Sequence, residues 1–169
     1  MIKTNLGDIV LRFFPDVAPN HVHNFKFLAK NGIFDGTYFH RVIPRFMIQG
    51  GDPNTKDDDR SNDGFGHAGP GVKAEFSAVP HRRGILSMAR KQDPNSATSQ
   101  FFIMVGDKPG LDHQYSVFGM VIAGMDVVDR IVALPRDRAN NPLPQNPAII
   151  ESVTFEKRGI APRPSWTRP

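Results

Sequence analysis

The sequence predicts a mainly β domain of antiparallel strands with two short helices. Three observations carry this. About eight short runs rich in aromatic and β-branched residues are separated by Gly, Pro, Asn and Asp. Helical patterns do not alternate with them, so parallel βαβ units are not expected. The densest run, Phe39 to Gly51, reads as two strands meeting at Pro44, which cannot donate a ladder hydrogen bond. Antiparallel strands that must hide their edges favour closure, and the pattern alone leaves sandwich and barrel open.

Met1 to Thr4 and Asp8 to Phe14 read as a hairpin around Asn5-Leu6-Gly7, with Gly7 supplying a positive φ. Pro15 ends the second strand. Pro19 suits the first turn of a helix running to about Lys30, and Asn31-Gly32 stops it. Val22, Phe25, Leu28 and Ala29 share a face of that helix, so it lies against a core. Tyr38 to Ile43 and Met47 to Gln49 are the central strands. Residues 52–72 form a long polar loop, of a length that is often functional or mobile. Gly84 to Met88, Gln100 to Val105 and Ser116 to Val121 are strands. Met125 to Ala133 is the second helix, with Val128, Ile131 and Val132 on its apolar side. A Pro- and Asn-rich loop, 134–147, precedes a last strand over 148–157. Residues 158–169 hold three prolines and three arginines with little to bury, and read as a tail.

At 169 residues the chain is large enough for one domain with a real core. It has no cysteine, which excludes disulfides, thiol chemistry and thiolate zinc sites. No run is long and apolar enough to span a membrane. The N-terminus turns polar within four residues, so no leader is expected and a cytoplasmic location is the default. The net charge of +4 is scattered, as on a solvated surface, and no nucleic-acid module accompanies it.

Several motifs fail on context. Gly64 to Gly69 matches GxGxxG, but acidic and Asn residues precede it and Pro70-Gly71 follows, which defeats a helix start. Asp57, Asp58, Asp59 and Asp63 suggest a calcium loop, yet Asn62 holds the required glycine position and Ala68 the closing glutamate position. His21 and His23 point to different sides of a helix, and His40 alternates away from Arg41. Neither HExxH nor GxSxG is present. No cofactor or metal is expected.

What survives is the Phe39–Gly51 block. Arg41 shares a strand face with Phe39 and Ile43, and Met47 shares one with Gln49. A guanidinium and a carboxamide among large apolar groups suit a binding cleft better than a core. This block, FHRVIPRFMIQGGDP, resembles the signature of the cyclophilins, the peptidyl-prolyl cis/trans isomerases. Gly84-Ile-Leu-Ser-Met-Ala-Arg90 through Asp93-Pro-Asn-Ser-Ala-Thr-Ser-Gln-Phe-Phe-Ile103 is similar to the family's other signature. Val117-Phe-Gly-Met-Val121 is similar to the strand that follows. The likeness covers roughly residues 1–157 and divides the chain into an isomerase domain, 1–157, and the tail, 158–169.

The resemblance implies a closed eight-stranded antiparallel β-barrel capped by two helices, with the cleft on its outside. It implies isomerisation of X–Pro bonds, and through it assistance to folding proteins. It assigns catalysis to Arg41, with Gln49 positioning the arginine and the substrate backbone. It assigns the proline pocket to Phe46, Met47, Phe102 and Leu111. Ala89 and Gln100 match positions touching residues before proline, Ser96 and Ala97 fall in the adjoining region, and Tyr115 stands where the best-known eukaryotic members have histidine. Gly110 stands where those members have the tryptophan that hydrogen-bonds cyclosporin, so weak cyclosporin binding is expected. The loop from Arg90 to Asp93 is longer by a residue than in those members. These departures look like the bacterial branch. The expected partners are proline-containing peptides and unfolded or folding proteins, with no nucleic acid, no membrane, and a monomeric chain. A cyclophilin-like barrel that binds proline segments without turnover is the competing class, and a basic barrel on nucleic acid a distant third.

Overall fold

The computed structural model describes residues 1–156 and 162–168. Its strands are β1 (Ile2–Thr4), β2 (Gly7–Phe13), β3 (Arg41–Ile43), β4 (Met47–Gly50), β5 (Ile85–Met88), β6 (Phe101–Met104), β7 (Val117–Ala123) and β8 (Ile150–Val153). The helices are α1 (Pro19–Lys30) and α2 (Met125–Val132). Every strand pair is antiparallel, in one sheet ordered β3-β4-β6-β5-β7-β2-β1-β8. Gly7 closes the first hairpin at φ +129.

The expected closed barrel is corrected to an open one, a curled sheet with β3 and β8 as unpaired edges. The reason lies in what flanks those edges. Val42 of β3 gives its N–H to Asn140 in a loop, 2.8 Å away, rather than to a strand. Only the chain entering β3 meets the start of β8, through one Tyr38↔Ile149 bridge and the bonds Phe39 N–H to Ala148 O, Ile150 N–H to Thr37 O and Gly36 N–H to Ile150 O. For the same reason the strand expected from Tyr38 begins only at Arg41, and the last strand is shorter than expected. Its expected end, Lys157, lies outside the described residues.

Residues alternate across the sheet, so strands β3 to β7 each feed two apolar clusters, while β1, β2 and β8 feed only the inner one. The inner one holds Ile9, Phe25, Phe34, Phe39, Ile48, Phe101, Ile103 and Phe118, together with Val22 and Leu28 of α1 and Val128 and Ile131 of α2. The outer one holds Phe14, Met47, Val79, Ile85, Phe102, Met104 and Val117. Phe46, Ala89, Leu111, Tyr115 and Trp166 pack against the outer cluster half-buried.

Two long-range ties fix the loops around this frame. Ala18 gives α1 no side-chain cap. Glu75 does so from the far side of the long loop, accepting the backbone N–H groups of Asn20 at 3.1 Å and His21 at 3.0 Å. Buried Asp52 accepts the N–H groups of Asn54, Gly64 and Gly66, which pins the polar loop after β4.

The expected tail is described only in part. Residues 158–161 and 169 lie outside the described residues. The described part is docked: Arg163 pairs with Asp16 and lies 4.6 Å over the Phe14 ring, Trp166 lies under Arg82 at 5.1 Å, and Thr167 is buried. One tryptophan and stacked guanidiniums are enough apolar surface to hold it.

Candidate active site

The β3–β4 turn places one wall of the cleft. Pro44 and Arg45 form the corner, with Arg45 at φ +59, and Phe46 donates its N–H to Ile43 O at 3.0 Å. Val105 N–H bonds Phe46 O at 2.9 Å, which docks the turn on the end of β6. The chain passes so close there that a Cβ on Gly106 would lie 2.6 Å from Arg45 O, so only glycine fits.

Strand register does the rest. Arg41 faces Gln49 across β3 and β4, and Gln49 faces Phe102 across β4 and β6. Met47 and Gln49 therefore emerge on the outer face beside Phe102. A cleft of about 160 Å³ opens here, lined by Arg41, Phe46, Met47, Gln49, Ala89, Arg90, Phe102, Leu111 and Tyr115. Its floor is apolar, and Tyr115 stands edge-on to Phe102, ring centres 5.8 Å apart.

Arg41 is exposed and, among the described residues, has no carboxylate partner. Its Nη1 donates to Gln49 Oε1 over a long 3.4 Å. Gln49 Nε2 donates to Gln100 Oε1 at 2.9 Å, and Gln100 Nε2 donates to the carbonyls of Gly64 and Gly66 at 2.9 and 2.7 Å. Those two carbonyls fix which way each amide points, so an acceptor is always turned to Arg41. His40, behind Arg41, is buried; burial pushes its pKa down, against the pull of Asp52 and Asp63.

A second depression of about 380 Å³ adjoins the first across Arg41 and Gln49. Its wall is a network in which Asn141 donates to Asp63 at 2.6 Å, Arg60 donates to Asn141, and Tyr38 donates to Asp63. Burial and then Asp63 push the Tyr38 pKa up to about 12.

A buried chain stands behind the cleft wall. Asp112 meets His81 Nδ1 at 3.0 Å, and His81 Nε2 meets Ser87 Oγ at 3.0 Å. It has the composition of a hydrolytic triad, but Ser87 is fully buried and its hydroxyl is within 3.1 Å of Ser116 O. No substrate carbonyl could reach it, and it braces Phe102, on which His81 stacks at 6.1 Å.

The chain matches the family model of cyclophilin type peptidyl-prolyl cis-trans isomerases over residues 1–155. It belongs to that family. A probable peptidyl-prolyl cis-trans isomerase of Brucella abortus is 45% identical over 161 residues, covering 92% of this chain and 81% of the relative. Peptidyl-prolyl cis-trans isomerase B of Escherichia coli is 43% identical over 166 residues, covering 91% and 97%. A Cryptosporidium parvum cyclophilin, crystallised in the presence of the dipeptide Ala-Pro, superposes with a TM-score of 0.83 at 32% identity, covering 93% of this chain and 98% of that one. The activity of this chain is peptidyl-prolyl cis–trans isomerisation.

Of the site residues expected of a cyclophilin, Arg41, Phe46, Met47, Gln49, Ala89, Phe102, Leu111 and Tyr115 line the cleft, and Gln100 sits behind Gln49. Ser96 and Ala97 do not line it. Ser96 Oγ accepts Lys91 N–H within its loop, and Ala97 is buried against the inner cluster. Gly110 is exposed, with open space where a side chain would begin. Arg90 lines the cleft and was not expected to. Its sequence signal was adjacency to Ala89 within the second signature block. No described helix is long and apolar enough to cross a membrane.

Proposed function

We propose that this cyclophilin isomerises X–Pro bonds by stabilising the twisted bond through Arg41, with the proline ring held by Phe46, Met47, Phe102 and Leu111. The barrier of about 18–20 kcal/mol is amide resonance. At the twisted geometry the prolyl nitrogen leaves conjugation and regains a lone pair. A donor that meets this lone pair favours the twisted state over the planar one, and that difference is catalysis. Guanidinium is permanently charged, so no pKa need be tuned for it.

The observation that carries this reading is an exposed Arg41 with no carboxylate partner among the described residues, on the rim of a cleft with an apolar floor and held by the Gln49 amide. A charged hydrogen bond contributes roughly 1.5–3 kcal/mol, on the order of 10- to 150-fold in rate. Fixed peptide geometry in a water-poor cleft supplies the remainder. No covalent step is involved. Gln49 positions Arg41 and the substrate backbone, while Ala89 and Tyr115 contact the residues flanking proline. Gln100 acts through Gln49.

The substrates we propose are exposed proline segments of folding proteins, met by a monomer in the cytoplasm, with nucleic acid and membranes playing no part. Residues 1–157 are the isomerase domain and 158–169 an appended tail. Cyclosporin binds weakly because Gly110 offers neither a donor nor a surface; a nanomolar complex by direct titration overturns that part. Exchange NMR on a proline peptide tests the whole. Catalytic amounts of protein should speed cis–trans interconversion well above the uncatalysed tens to hundreds of seconds. Shifted peptide signals without faster exchange would make the protein a binder instead.

A further inference from the structure

We infer that Arg90 makes this cleft selective for acidic residues beside the substrate proline, an inference that rests on the cleft being the isomerase site. The cleft's lining holds two arginines, Arg41 and Arg90, and no carboxylate. Lys108 adds a third cation at the rim, 5.7 Å over the Phe46 ring. The acid nearest in sequence, Asp112 beside Leu111, is occupied by His81, which gives it both a backbone N–H at 2.7 Å and a ring contact at 3.0 Å. The neighbouring depression differs: Asp63 and Asp137 line it along with Arg41 and Arg60. Of these two depressions, the cleft is the one that carries the imbalance.

Arg90 is built to hold its charge in place. Its guanidinium lies 4.7 Å from the Tyr115 ring centre. Its edge donates to the carbonyls of Gln114, Lys91 and Gln92 at 2.9–3.1 Å. Carbonyl dipoles satisfy the N–H groups and leave the unit charge uncancelled. With most of its donors occupied, Arg90 offers a substrate a fixed positive field rather than a bidentate fork. Such a field discriminates between charged partners and steers their encounter. A glutamate or aspartate next to proline answers it, and a lysine is repelled.

The test uses short peptides with Glu, Gln or Lys placed immediately before or immediately after one proline. Exchange NMR on the whole chain gives kcat/KM for each. In at least one placement, Glu should exceed Lys by about tenfold at low ionic strength, which is about 1.4 kcal/mol. The ratio should shrink severalfold near 1 M salt, where screening acts over about 3 Å. Arg90→Gln should bring the Glu/Lys ratio to within about twofold of unity, while Arg90→Lys should keep most of it. Thermal melting shows that each variant is folded. A wild-type ratio near one overturns the inference, as does a ratio that survives Arg90→Gln. Loss of the ratio in both variants also overturns it, because the role is then structural. Turnover of the Gln peptides without any charge preference sinks this inference alone. No turnover of any peptide sinks the isomerase reading beneath it.

Discussion

The inner and outer apolar clusters share strands β3 to β7 and end in opposite conditions. On β6, Phe101 and Ile103 enter the inner cluster while Phe102 and Met104 enter the outer one. Inside, Phe25, Phe34, Phe39, Phe101 and Phe118 are essentially fully buried, and Phe101 meets three of these rings edge-on at 5.3–6.1 Å. Outside, Phe102 keeps 5% of its surface and is flanked by half-buried Phe46, Leu111 and Tyr115. The inner cluster is complete. The outer one stops short of closing over itself, and on the reading proposed above a proline ring would close it. The period-two alternation of a strand thus separates stability from function by a single residue step.

That contrast can be broken most forcefully at Phe101. Phe101→Ala should cost about 3–5 kcal/mol in urea unfolding, through lost burial and a cavity the surrounding rings cannot fill. Phe102→Ala should cost at least about 1 kcal/mol less, because part of its ring already faces the cleft. It should lower kcat/KM by about tenfold or more on a proline peptide. Equal stability losses at the two positions, with turnover unchanged at Phe102, would erase the distinction.

A smaller effect sharpens the inner side. Burial alone would raise the Glu75 carboxyl, but the His21 ring and the backbone N–H groups of His21 and Asn20 outweigh it, and its pKa ends below the usual value. A carboxyl depressed on folding stabilises above its unfolded pKa, about 4.3, and loses that contribution as pH falls through the folded value. Glu75→Gln should therefore cost about 1–2 kcal/mol at pH 7. The gap to wild type should narrow as pH is lowered below about 4. A gap that is constant from pH 7 to pH 3 would show that shape, and not charge, caps α1.

Much of this was legible because the signals were local. Pro19 and Asn31-Gly32 bracket α1 where the structure ends it, and alternation put Met47 and Gln49 on one face. The misses have physical causes. Aromatic, β-branched composition marks Tyr38 to His40 as strand, but the same residues serve as well buried off the ladder, which is where Phe39 lies. Closure of the barrel depended on the Asn140 loop taking the β3 edge, and periodicity does not report that. Glu75 caps a helix from a distant loop, so no cap signature stood at Ala18. Gln100 and Arg90 exchanged places relative to expectation: one amide turned inward to order another, and one surface-looking cation folded onto Tyr115. The tail held more than its proline and arginine content suggested, since Trp166 anchors it.

The central claim is that Arg41 acts on the half-turned bond and little on the planar one. NMR line-shape analysis of one proline peptide with wild type and Arg41→Ala separates kcat from peptide affinity. The account predicts kcat reduced at least about tenfold with affinity changed less than about threefold and thermal melting unaltered. An unchanged kcat, or a loss confined to affinity, would contradict it.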